Sequence, residues 1–136
     1  MVEPNNTTHR SLLFVKFPAD TVIFAERSQS TDVYLIRSGR VEIRKQVGVE
    51  SVLIKALGPQ EIFGEMALIH HKPRSASAIA VMDTECYVLN HQSFDEKLKT
   101  IDPFLRGVFR ILANTVRELT TELAALKKHD HTSSNS

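Results

Sequence analysis

A chain of 136 residues has the length of one domain, enough to bury a core of its own without cross-links. Its 17 basic and 16 acidic residues leave a formal net charge of +1, which argues against a general nucleic-acid binder. The single cysteine, Cys86, excludes a disulfide within the chain and fits a reducing, cytoplasmic setting.

The chain opens Met1-Val2-Glu3-Pro4-Asn5-Asn6, without a basic-then-apolar leader, and residues 1–10 are expected to be flexible. No apolar run approaches membrane length, so no membrane span is expected. A folded domain is expected over residues 11–128. Ser11 to Phe14 reads as a helix end or a short lead-in. Strand-like runs then follow at short intervals: Thr21 to Ala25, Val33 to Ile36, Val41 to Lys45, Val52 to Leu57, Ser77 to Val81 and Glu85 to Leu89. Alternation is clear in Val41-Glu42-Ile43-Arg44, and turn signals at Ser38-Gly39-Arg40, Gln46-Val47-Gly48 and Leu57-Gly58-Pro59 separate the runs. Many short strands with regular turns predict a barrel or roll rather than a parallel sheet. Cys86 lies in the apolar run Cys86-Tyr87-Val88-Leu89 and is expected to be a buried strand residue.

Residues 63–77 carry the chemistry. They read Phe-Gly-Glu-Met-Ala-Leu-Ile-His-His-Lys-Pro-Arg-Ser-Ala-Ser. A glycine turn, a carboxylate, a short apolar turn and an arginine followed by small hydroxyls suit a ligand with a sugar hydroxyl and one phosphate. Glu65 can accept a hydrogen bond from a ribose hydroxyl. Arg74 can neutralise a phosphodiester with a forked contact that lysine does not reproduce. Gly64 lets the backbone approach closely, and amides at the start of the next turn can point at an anion. The bland alternative is a tight turn closed by an Arg-Glu salt bridge, which would not call for Ala67 or for two hydroxyls flanking Ala76.

The pattern F-G-E-x-A-L-x5-R-S-A-S resembles the phosphate-binding cassette of the cyclic nucleotide-binding domain family. Ser38 to Ile43 is similar to that family's S-G-x-V-x-V strand signature, and the resemblance extends from roughly Phe17 to Phe94. It implies a mainly β fold with C-terminal helices, an eight-stranded antiparallel β-roll of jelly-roll type flanked by helices. It also implies that Phe63, Gly64, Glu65, Met66, Ala67, Arg74, Ser75, Ala76 and Ser77 form the ligand site. Glu65 would hold the ribose 2′-hydroxyl and Arg74 the phosphate. The Ala67 and Ser75 amides would complete the anion site, and Ile43 and Ile54 would line the base from inner strand faces. A later helix would close over the base, with Arg106 or Arg110 as the lid. Ser75 follows the arginine, where a hydroxyl can contact guanine. One such contact is worth only about 1 kcal/mol and does not settle selectivity; the resemblance to bacterial-type sites, many of which prefer adenine with Ser at this place, puts cyclic AMP first and cyclic GMP second. Arg27, Ser30 and Gln60 stand where the family pattern has glycine, and altered turn geometry is expected there.

A helix is expected from Gln92 with Asn90 or Ser93 as its cap, and a second over 103–128, opened by Pro103 and capped by Asp102. On the second, Leu105, Phe109, Leu112, Val116, Leu119, Leu123 and Leu126 recur at alternating spacings of four and three, a heptad seam. The seam predicts a homodimer; the alternative is a stripe that packs on its own roll. Gly107 within this helix can ease bending or permit close packing. Residues 129–136 are polar and expected to be a disordered tail.

Nothing in the sequence supports catalysis, an intrinsic cofactor or a metal. There is no nucleophile elbow, Walker loop or Cys-x-x-Cys pair. His70 and His71 are expected to be solvated side chains. A metal-binding cupin would want histidines on its strands, and the strand runs contain none. No room for a helix-turn-helix follows the final helix, so direct DNA binding is not expected. The expected function is a second-messenger receptor acting through its C-terminal helix on an unidentified effector protein. The alternative is a ligand-independent dimerisation or scaffold module with a vestigial pocket.

Overall fold

The computed structural model describes residues 13–134, with side chains through residue 126. Eight strands form: β1 (Leu13–Phe17), β2 (Val22–Phe24), β3 (Val33–Ser38), β4 (Val41–Val47), β5 (Glu50–Leu57), β6 (Ile62–Phe63), β7 (Ser77–Ala80) and β8 (Thr84–Leu89). They make two four-stranded sheets, β1-β8-β3-β6 and β2-β7-β4-β5, with every pairing antiparallel. This is the expected roll. The six runs read from the sequence are all strands, within a residue or two at their ends.

The lead-in is corrected. Leu13 to Phe17 is a strand, paired with β8 from Leu13↔Val88 to Phe17↔Thr84. Its partner lies far along the chain, and Leu13 and Phe14 stay exposed, so no local alternation marks it. β6 is too short to show a period.

The core sits between the sheets, where alternate residues converge: Tyr34 and Ile36 from β3, Val41 from β4, Leu57 from β5, Phe63 from β6, Ala78 from β7, and Cys86 and Val88 from β8. Cys86 is fully buried, as its strand position predicted, and burial pushes its thiol up to about 11. Along β4 and β5 the register steps from Ile43↔Lys55 to Arg44↔Leu53. Ile54 is therefore the extra residue of a β-bulge.

The chain divides into two compact units between Asp95 and Glu96. Two helices end it, α1 (His91–Thr100) and α2 (Pro103–Ser134). The Asn90 side chain accepts from the Ser93 amide at 2.7 Å, so Asn90, not Ser93, is the cap. Asp102 accepts from the Phe104 amide at 2.7 Å, as expected. α2 runs on past Lys128 into residues expected to be a disordered tail. No glycine or proline follows Gly107, so nothing in the local sequence stops the helix there. The flexible segment expected over 1–10 lies outside the described residues, as do residues 135–136 of the tail. Among the described residues, no helix is long and apolar enough to cross a membrane.

Candidate functional site

Between β6 and β7 the chain leaves the sheets and builds a cassette. Phe63 anchors its start in the core at 2% exposure. Gly64 then takes a left-handed φ of 79°, and Glu65–Leu68 make one 3₁₀ turn. A Cβ on Gly64 would stand 2.9 Å from the Asp32 carbonyl oxygen and 3.0 Å from Arg74 Nη1. Glycine is thus required twice, for its φ and for the close approach. Glu65, first in the turn, is exposed, while Ala67 is buried beneath it.

Arg74 returns to the same place from the other end of the cassette. It is 7% exposed, yet its hydrogen-bond partners are neutral: Nε donates to Ser30 Oγ at 2.9 Å, Nη1 to the Gly64 carbonyl at 3.1 Å and Nη2 to the Asp32 carbonyl at 2.5 Å. The guanidinium lies 4.0 Å from the Phe24 ring centroid. Phe24 in turn packs against Tyr34 and Phe63, so an aromatic cluster backs the cation. Burial lowers the pKa of Arg74, against which the nearby Tyr34, Asp32 and Glu65 act in the other direction. Three of its five N–H groups are engaged, which leaves two for a ligand.

Main-chain bonds orient the rest. The Arg27 amide donates to the Arg74 carbonyl at 2.7 Å, and the Arg74 amide to the Ser28 carbonyl at 2.8 Å. In a trans peptide the C=O and N–H point oppositely, so this bond turns the Ser75 amide away from Arg27. An amide turned away from Arg27, a buried cation and an exposed carboxylate on one short cassette can bind an anionic ester that carries a hydroxyl.

The family model for the cyclic nucleotide-binding domain matches residues 14–100. The chain belongs to the cyclic nucleotide-binding domain family. It is 33% identical over 111 residues to the cyclic AMP receptor protein of Thermus thermophilus, covering 81% of this chain and 51% of that protein. It is 34% identical over 92 residues to the cAMP-dependent protein kinase regulatory subunit of Aspergillus niger, covering 68% of this chain and 22% of that one. The chain therefore spans about half the length of the first relative and less of the second. Among solved structures, the halfsite-occupied form of the EAL enzyme Bd1971 matches with a TM-score of 0.75 and 33% identity, covering 79% of this chain and 97% of that one. The cAMP-bound form of Bd1971 matches at 0.64 and 32%, covering 82% and 30%. Its cGMP-bound form matches at 0.63 and 34%, covering 81% and 30%.

Within this cyclic nucleotide-binding domain the structure brings together Phe63, Gly64, Glu65, Ala67 and Arg74, with Met66 exposed on the turn. Ser75 is exposed, and Ala76 and Ser77 lead into β7. The Ala67 amide is engaged inside the turn, donating to the Gly64 carbonyl at 3.2 Å. Ile43 packs against the core, but Ile54 sits at the bulge and is 57% exposed. The strict alternation that assigned Ile54 an inner face is broken there. Arg106 and Arg110 belong to the second unit, where Arg106 Nη1 donates to the Lys99 carbonyl at 3.2 Å.

Two turn expectations change. Arg27 and Gln60 hold φ of 74° and 69°, so they keep the left-handed geometry glycine would have given, and bear its strain. Ser30, at the third such position, supplies a hydroxyl partner for Arg74. The histidines also differ: His71 is exposed with its ring 4.9 Å from that of His91, but His70 Nε2 is buried without a hydrogen-bond partner. Its neighbours in the turn are apolar, and residue type alone does not reveal which ring folds inward. Phe24 and the Asp32 carbonyl, which hold Arg74, give no sequence signal of that role. An aromatic strand residue looks like core, and a carbonyl has no residue signature.

Proposed function

We propose that this domain is a regulatory receptor for a cyclic nucleotide, cyclic AMP first and cyclic GMP second, acting through its C-terminal helix on a partner protein. One observation carries the reading: the guanidinium of Arg74 is buried on neutral carbonyls and a hydroxyl, and among the described residues no carboxylate closes on it. A buried cation without an ion partner is costly, and a phosphate arriving there removes that cost. Glu65 is exposed and close enough to act on Arg74, which supports giving it the ribose hydroxyl. The relatives' names and the ligand-bound forms of Bd1971 support the ligand class.

A homodimer is the second part of the reading. Leu105, Leu112, Leu119, Leu123 and Leu126, five positions of the seam on α2, are each more than half exposed. Phe109 and Val116 complete its repeat. The same face also suits a dimerisation module that needs no ligand.

Calorimetric titration of nucleotide-stripped protein with cyclic AMP and cyclic GMP tests the receptor. Micromolar or tighter binding is expected, weakened about 100-fold in Arg74→Ala through loss of a charge-assisted contact. Absence of binding to both nucleotides would leave the dimerisation module as the function.

A further inference from the structure

Three strands run side by side until they reach the cassette, and there they part. The β4–β7 ladder ends at Arg44↔Ser77, and β2 pairs with β7 only as far as Phe24↔Ala78. Beyond those points the chain ends are joined by side chains. The Glu26 amide donates to Ser77 Oγ at 2.8 Å, and Glu26 Oε1 accepts from the Gln46 amide at 3.0 Å. Lys45 Nζ donates to the Ser75 carbonyl at 2.8 Å and lies 3.5 Å from Glu26 Oε2. An ammonium thus takes the carbonyl that the ladder would have paired next, and a carboxylate holds that ammonium in place.

Ser75 follows the anion-binding arginine, so its backbone forms part of the site. Its preceding peptide is fixed by Arg27 through the Arg74 carbonyl. Its following peptide is fixed by Lys45 through the Ser75 carbonyl. With both peptide planes held, the torsions of Ser75 are set, and with them the direction of its amide and of the Cα–Cβ bond that carries its hydroxyl. Lys45 lies on β4 two residues beyond Ile43, on the same strand face.

We infer that Lys45, braced by Glu26, is a positioning residue of the nucleotide site, setting the orientation of Ser75 for the ligand. This rests on the receptor reading above. It assigns Lys45 no contact with the ligand: its role is to hold one peptide plane.

Lys45→Met keeps the stem and removes the donor. Lys45→Cys removes the charge, and alkylation with 2-bromoethylamine restores an ammonium at nearly the same length. Cys86 is buried and its thiol stays protonated, so it is spared. Two readouts are needed. The first is the backbone amide NMR shifts of Ser75 and Ala76 without ligand, which do not depend on the receptor reading. The second is the affinity for cyclic AMP and for cyclic GMP.

In Lys45→Met both amides are expected to shift, and affinity to fall about tenfold, as for one charged hydrogen bond. The cyclic AMP to cyclic GMP ratio is also expected to change, because the Ser75 hydroxyl is redirected. Alkylated Lys45→Cys should recover both shifts and affinity. Unmoved amides overturn the inference, whatever the affinity does: a loss of binding would then mean direct contact between Lys45 and the ligand. Moved amides with unchanged affinity and ratio overturn it as well, leaving Lys45 a purely structural tie. If wild type binds neither nucleotide, the receptor reading fails, and the positioning role of Lys45 in a nucleotide site fails with it. The amide shifts then report only whether Lys45 ties the strand.

Discussion

Arg27 and Arg74 are joined through their main chains, the amide of Arg27 meeting the carbonyl of Arg74 at 2.7 Å. Arg27 does this from a φ of 74°, a conformation that costs a side-chain-bearing residue about 1–2 kcal/mol. The strained turn is thus a support on which the backbone of Arg74 rests. Arg27→Gly removes the strain and keeps the amide. It is expected to raise stability by about 0.5–1 kcal/mol after glycine's own entropy is counted, measured as a higher urea midpoint with unchanged slope. Nucleotide affinity should stay within about twofold, since the bond is made by the backbone.

Glu65 is exposed on the turn of the cassette, so its removal should act on the ligand and not on the fold. Glu65→Ala is expected to weaken cyclic AMP binding about tenfold, within the range for a hydrogen bond to a charged acceptor. The measurement that isolates its role is a comparison with the 2′-deoxy analogue. Wild type should discriminate against that analogue and Glu65→Ala should not. Equal discrimination in both proteins would remove Glu65 from the ribose.

The exposed leucines of α2 make a prediction about assembly. Leu112→Asp together with Leu119→Asp places two charges on the seam and is expected to convert a dimer to a monomer by light scattering. Both residues are more than half exposed in the single chain, so the monomer's melting temperature should change little. A wild-type protein that is monomeric at tens of micromolar would rule out the seam as an interface.

Acid should loosen the strand ends around Glu26. The bond from the Gln46 amide, followed by the effect of Lys45, holds this carboxylate below its ordinary pKa of 4.5. A depressed carboxylate stabilises the fold above its unfolded pKa, and the contribution is lost as pH falls through the folded value. Wild type should therefore exceed Glu26→Gln in stability at pH 7. The difference should narrow below about pH 4.5, followed by chemical denaturation at each pH. A constant difference across that range would mean the side chain acts by packing alone.

The strands and the cassette were legible because their chemistry is local. Val33 to Ile36 and Val41 to Lys45 carry their own alternation, Glu65 and Arg74 carry their own functional groups, and Gly64 marks the turn between strand and cassette. What was not legible is made by groups without a residue signature. Arg74 is held by the carbonyls of Asp32 and Gly64, and the Ser75 peptide by a lysine thirty positions away. β1 depends on a partner strand near the far end of the roll. Counting in twos gives Ile54 an inner face, and a single extra residue in β5 defeats such counting. Arg27 and Gln60 kept their turns because surrounding hydrogen bonds override the local preference of a residue with a side chain.

The bond from Arg74 Nη1 to the Gly64 carbonyl closes the cassette into a loop whose two ends are tied to each other directly. What lies between His71 and Pro73 is therefore free to vary in length without moving either end. Doubling such a loop costs only about 0.6 kcal/mol of closure entropy. The exposed junction between Lys72 and Pro73 is accordingly a place where a short tag or reporter peptide can be spliced into the chain.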